Sequence, residues 1–163
     1  MMKSRMIVRA GLLLALAAGS VALAPLVGIG AQPARAETPD EVIVARKAGY
    51  KHMGETFEAM KKAIADDSDV KPLAPKAQEL VDWGHKIPTL FPVGSETGHD
   101  THALPTIWSD REGFDKAAAN FTAAATKLTQ VAETGDKAAF ADQWKATGGT
   151  CGACHRTYRA KLN

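Results

Sequence analysis

Both cysteines of this 163-residue chain lie near its end, in the stretch "GGTCGACHRTYRAKLN", two residues apart and with His155 directly after the second. Cys151 and Cys154 constrain the chain more than any other feature. A bridge between them would close only a very small loop and restrict the unfolded chain little, so stability is a poor reason for the pair. The pair needs a chemical explanation, and the fold around it must serve that chemistry. Phe140, Trp144, Thr147, Cys151, His155 and Tyr158 recur at steps of 4, 3, 4, 4 and 3, which places the motif on one face of a helix. Gly148-Gly149 interrupts that helix at a propensity cost of about 1 kcal/mol per glycine.

Three more helices precede it. "ETPDE" opens the first, with Thr38 as N-cap, Pro39 at the first helical position and Asp40 and Glu41 in the first turn. Val42, Arg46, Tyr50, Met53, Phe57, Met60 and Ile64 form its inward stripe, and it ends near "ADDSD". An arginine in an apolar stripe needs a partner if it is buried. The second helix runs from Pro72 to about Lys86, with Leu73, Ala77, Leu80, Val81 and Trp83 apolar. A long connection follows, "IPTLFPVGSETGHDTHALP"; a loop of this length in a small domain is usually functional or packed by its own side chains. The third helix runs from about Pro105 to Ala132, with Ile107, Trp108, Phe114, Phe121 and Leu128 inside. Gly135 terminates it, and Asp136 caps the fourth helix. Four amphipathic helices with mostly short connections make an all-α, antiparallel four-helix bundle.

Residues 1–36 stand apart. Lys3, Arg5 and Arg9 are followed by an apolar run and then by Ala34-Arg35-Ala36, the pattern of a secretory signal peptide cleaved after Ala36. The alternative is a retained membrane anchor, since the run is about long enough to span a bilayer; Pro25, Gly28 and Gly30 sit badly in a spanning helix. Cleavage removes four basic residues (Lys3, Arg5, Arg9, Arg35) and no acidic one, turning the formal charge from +2 to −2. No basic stripe with interleaved aromatics remains, which argues against a nucleic-acid partner. The domain from Glu37 to Asn163 is long enough to bury a core without disulfide staples.

For the cysteine pair, a zinc site would need a second ligand cluster. His99 and His102 could in principle complete one, but they fall in the loop. A thioredoxin-type dithiol belongs at a strand-to-helix turn of a βαβ unit, not on the last helix of an all-α chain. Covalent haem attachment fits the spacing, the export signal and the following His155 as iron ligand.

These motifs resemble those of the class II c-type cytochromes, specifically the cytochrome c′ family. The likeness rests on "CGACHRTYR" at the C-terminus, "PTIWSD", "LFPVGS" and "ARKAGY", and covers the whole chain after the leader. It implies a left-handed antiparallel four-helix bundle with one haem c near one end, and a homodimer through the first two helices. It implies Cys151 and Cys154 as thioether anchors and His155 as axial ligand. Arg46 resembles the family arginine beside the haem propionates; a surface salt bridge is the plainer alternative. Arg159 resembles a proximal arginine, or is a C-terminal cation favoured by the helix dipole.

Related class II proteins carry a methionine four residues after the first-helix arginine. Here Tyr50 stands there, which implies five-coordinate, high-spin iron with Tyr50, Met53 and Phe57 lining the vacant side. Ligation by Met53 would instead give a low-spin, six-coordinate electron carrier. The family implies a periplasmic protein that binds NO and CO, transfers single electrons to periplasmic redox partners, and is not an enzyme. A peroxidase- or reductase-like enzyme would want a proton-handling pair on the open side, which the sequence does not supply. After signal cleavage no membrane association is expected.

Overall fold

The structure is a computed structural model that describes residues 37–161. The expected leader and its cleavage site lie outside the described residues.

Helix α1 spans Pro39–Ala65 and opens with a complete capping box. Thr38 Oγ1 accepts from the Glu41 amide at 3.3 Å, and the Glu41 carboxylate accepts from the Thr38 amide at 2.7 Å. A 3₁₀ turn, Lys71–Leu73, leads into α2, Ala74–Lys86, and a second one, Ile87–Leu90, leaves it. After the loop come α3 (Thr106–Ser109), α4 (Arg111–Thr134) and α5 (Lys137–Tyr158). Gly135, at φ 80°, closes α4, and Asp136 caps α5 by accepting from the Ala139 amide at 2.9 Å. Apart from an isolated bridge between Ala103 and Arg159, the described residues form helices, turns and loop. The expected four-helix bundle is present.

Two local expectations need correction. The third helix is not continuous from Pro105: it breaks at Asp110, whose backbone (φ −121°, ψ 58°) leaves the helix. The Asp110 carboxylate accepts from the Gly113 amide at 3.2 Å and from the Tyr158 hydroxyl at 2.6 Å, so it starts α4 afresh and ties it to the end of α5. Gly148-Gly149, in turn, does not interrupt α5, which runs straight through. A Cβ at Gly148 would lie 3.2 Å from Phe57, so this glycine serves a close approach rather than a break.

The core lies mainly between α2, α4 and α5. Ala118, Ala125 and Ala132 on α4 are buried and let its neighbours come close, while Phe114, Phe121, Leu128, Leu80 and Phe140 fill the space. Backbone approach is close between α2 and α4 and between α4 and α5, but sparse between α1 and either neighbour. At its C-terminal half α1 is fixed by fully buried Met60 and by Phe57. The Phe57 ring stacks on Trp144 at 4.8 Å, and the Trp144 indole donates to the Phe57 carbonyl at 3.1 Å. The middle of α1 stands away from α5, and the space between them is the candidate site.

Candidate functional site

Along α1 the expected stripe is not uniformly buried. Val42, Arg46 and Met60 are, but Tyr50, Met53 and Phe57 are only half-buried. On α5 the same contrast appears: Phe140, Thr147 and Tyr158 are buried, Cys151, Cys154 and His155 half-buried. Apolar residues left partly uncovered in the middle of inward stripes border a space. That space shows as two cavities, of about 410 Å³ and about 360 Å³. Tyr50 and Gly54 of α1 and Cys154 and His155 of α5 line both. The cavities are thus two halves of one slot between the helices, within the size range of cofactor sites.

Each half has its own character. Arg46, Phe91, Phe114, Tyr158 and Arg159 border the first. Met53, Phe57, Leu80, Ala118, Phe121 and Cys151 border the second, with Glu58 and Thr150 as its polar members; both halves are mainly apolar. A Cβ added at Gly54 would meet nothing within 4 Å. A glycine inside a helix costs about 1 kcal/mol, and here no protein group uses the room it gives. The side chain it lacks would point into the slot.

The slot favours neutral groups. Burial pushes the Tyr50 phenol well above its ordinary range. Burial also raises the Cys151 thiol, and burial together with Cys151 raises that of Cys154. The His155 imidazole is lowered by burial and then by the Arg159 cation. A neutral imidazole is the form that binds a metal. Cys151 and Cys154 are not joined to each other in a disulfide.

Arg46 is 2 % exposed, so the surface salt bridge expected as its plainer reading is wrong. It donates to Leu90 O at 3.2 Å, Ser95 Oγ at 2.9 Å, Ser95 O at 2.7 Å and Thr101 Oγ1 at 2.8 Å. Its guanidinium also lies 4.5 Å above the Phe91 ring. These are neutral groups of the long loop, which answers the arginine's need for partners in a way the sequence did not indicate.

A family model described as Cytochrome C′ matches residues 41–159. The chain belongs to the cytochrome c′ family. It is 36 % identical over 141 residues to cytochrome c′ of Rhodopseudomonas palustris, covering 85 % of this chain and 94 % of that one. A solved cytochrome c′ described as having an unusual ligand-controlled dimer dissociation superposes with a TM-score of 0.73 at 27 % identity. The match covers 78 % of this chain and 100 % of that one. A nitric oxide complex of a cytochrome c′ point mutant from Alcaligenes xylosoxidans gives 0.70 at 25 % identity, again over 78 % and 100 %.

Cytochromes c′ carry covalently bound haem c, and haem c is this chain's cofactor. The residues present fit it: a slot with apolar walls, two cysteines not joined in a disulfide and a following imidazole on its α5 wall, and unfilled room above Gly54 on its α1 wall.

Every expected site residue except Arg159 is at least half-buried in this cytochrome c′. Arg159 is exposed and borders the first cavity beside His155. Sequence reading missed Gly54, Ile87, Ala118 and Tyr158 as lining residues. Tyr158 had a signal, since it continues the α5 stripe one turn beyond Cys154. Gly54 had only the oddity of a glycine in mid-helix. His52 and His99 pair at the surface with Glu79 at 3.0 Å and with Asp40 at 3.4 Å.

Proposed function

We propose that this cytochrome c′ is an exported, periplasmic protein in which the haem iron keeps one axial face free of any protein ligand, binds small uncharged gases there, and exchanges single electrons. When bound, haem supplies a redox-active iron with an axial coordination position. Cys151 and Cys154 would hold the group to α5, and the His155 imidazole, kept neutral by burial, would ligate its iron. The observation that carries the reading is that Tyr50 and His155, on opposite helices, each border both halves of the slot. In this reading Tyr50 covers the side of the iron away from His155, and burial holds its phenol neutral, which makes it a poor metal ligand. Met53 borders only the second half.

The chemistry of the walls selects the ligand. An anion entering the apolar half would lose its hydration and meet little to replace it, whereas NO or CO loses little. Tyr50 resists by bulk, and Phe57 adds to the apolar wall of the second half. Arg46, Lys47 and Arg159 border the first half and give it its positive charge. Export fits the leader pattern of residues 1–36, and no described helix is long and apolar enough to cross a membrane. The solved relative described as having ligand-controlled dimer dissociation supports a homodimer; its contact in this reading is α1 with α2.

The test is titration of the reduced protein with CO and with NO, followed by optical absorption. Saturable changes with both gases and none with azide or cyanide on the reduced form are expected. A reduced spectrum with sharp low-spin bands that neither gas alters would refute the reading and promote Met53 to sixth ligand.

A further inference from the structure

The loop between α2 and α3 is fastened at three places, and the middle fastening belongs to α1. Its start is held from α3 and α4: Trp108 Nε1 donates to Pro92 O at 3.2 Å, and Arg111 donates to Pro88 O at 2.5 Å and Phe91 O at 3.3 Å. Its end is held by the end of α5. Leu104 N donates to Tyr158 O at 3.1 Å, Ala160 N to His102 O at 2.8 Å, and Thr106 Oγ1 to Thr157 O at 2.8 Å. Between these, residues 94–100 contain four positive φ angles, at Gly94 (95°), Gly98 (108°), His99 (47°) and Asp100 (49°). Two consecutive non-glycine residues in the left-handed region are an uncommon conformation that something must hold. Arg46 supplies the hold, with Ser95 and Thr101 as its acceptors on either side of the irregular stretch. Lys47 adds a bond from Nζ to His99 O. Asp100, Thr101, His102 and Ala103 then form one wall of the first half of the slot.

We propose that Arg46 is a positioning residue that latches the 94–101 segment shut over the first half of the haem slot. Both terminal nitrogens of its guanidinium are taken by loop oxygens and its face by the Phe91 ring, so its first effect is on the cover of the site rather than on the ring's charge. A planar fork suits such a latch, because two nitrogens reach four oxygens at fixed angles, which a lysine ammonium at the end of a flexible stem does not reproduce. Ser95 is fully buried and its hydroxyl passes the bond on to Pro92 O at 2.8 Å, which links the latch to the fixed start of the loop. Opening the segment exposes the first half of the slot to water and to entering ligands.

The test compares the haem-loaded wild type with Arg46→Gln, Arg46→Lys and the double variant Ser95→Ala/Thr101→Val, which keeps the arginine and removes two of its acceptors. Two readouts are taken: the rate of limited proteolysis at bonds within 94–101, located by mass spectrometry, and the association rate of CO with the reduced protein. Removing several hydrogen bonds to a charged group is expected to raise cleavage within the segment by about tenfold or more, because cleavage there follows the population of the open loop. All three variants are expected to show it, with cleavage elsewhere unchanged, and CO is expected to enter several-fold faster. The proposal is overturned if Arg46→Gln leaves loop cleavage at the wild-type rate. It is equally overturned if only the arginine variants respond, since Arg46 would then act through the cofactor's carboxylates, or if the loop opens and CO entry does not change. The CO arm rests on the open axial site proposed above. Failure of the wild type to bind CO sinks that reading, while the cleavage arm still decides the latch. Should Arg46→Gln not fold, the double variant carries the test.

Discussion

Gly54 and Gly149 are both interior helical glycines at which an added Cβ meets nothing within 4 Å. Substituting either by alanine should raise helix propensity by about 0.8–1.0 kcal/mol. In a domain of this size such a gain moves the unfolding midpoint by roughly 3–5 °C. As far as protein contacts go, the two substitutions are equivalent. They differ in one respect: Gly54 borders both halves of the slot, and Gly149 borders neither. If haem fills the slot, the new methyl at Gly149 still meets only solvent, whereas the one at Gly54 enters space the ring occupies. Overpacking a filled site costs typically about 1–3 kcal/mol, which cancels the propensity gain or exceeds it. The haem-loaded Gly149→Ala protein should therefore unfold a few degrees higher than wild type, and Gly54→Ala no higher or lower. Thermal unfolding followed by far-ultraviolet circular dichroism reads both. Equal stabilisation by the two alanines would refute the placement of the cofactor between Gly54 and His155.

Three further outcomes are expected. Gly49→Ala should destabilise despite its better propensity, because the new Cβ would lie 1.7 Å from the Trp83 ring, a contact that a packed indole cannot yield; denaturant unfolding should show a loss of about 1–3 kcal/mol. Trp144→Phe keeps an aromatic ring beside Phe57 but removes the 3.1 Å bond to the Phe57 carbonyl, and should cost about 1 kcal/mol in the same assay. Tyr158→Phe removes the bond to Asp110, which is the first cause raising the Tyr158 phenol, ahead of burial. A phenol raised in the folded state contributes stability that is complete below its unfolded value near 10 and is lost as pH climbs through the folded one. The gap between wild type and Tyr158→Phe should thus be constant at neutral pH and narrow above about pH 10; a gap that widens there would contradict the assignment.

Periodicity and caps made most of the bundle legible. Thr38, Pro39, Gly135 and Asp136 bound their helices as their chemistry dictates, because these signals act within a few residues. The break at Asp110 was missed, because its local cap to Gly113 is joined by a tertiary bond to Tyr158, 48 residues away, that no local pattern shows. The apparent break at Gly148-Gly149 misled for the converse reason. Propensity says that glycine weakens a helix, but only packing reveals that Phe57 takes the room at Gly148. At the site, Cys151, Cys154 and His155 announced themselves by spacing, and Tyr50 by its place on the α1 stripe. Gly54 did not, because its contribution is an empty volume rather than a group. Arg46 was conspicuous as a cation on an apolar stripe, yet its partners are backbone carbonyls and hydroxyls of an irregular loop, which no local pattern encodes.

The central claim, that His155 ligates the iron alone and Tyr50 merely faces the open side, is tested most directly by electron paramagnetic resonance of the oxidised protein at neutral pH. An axial high-spin ferric signal is predicted, and it should persist in Met53→Leu. A rhombic low-spin signal in the wild type that turns high-spin in Met53→Leu would contradict the claim and make Met53 the sixth ligand.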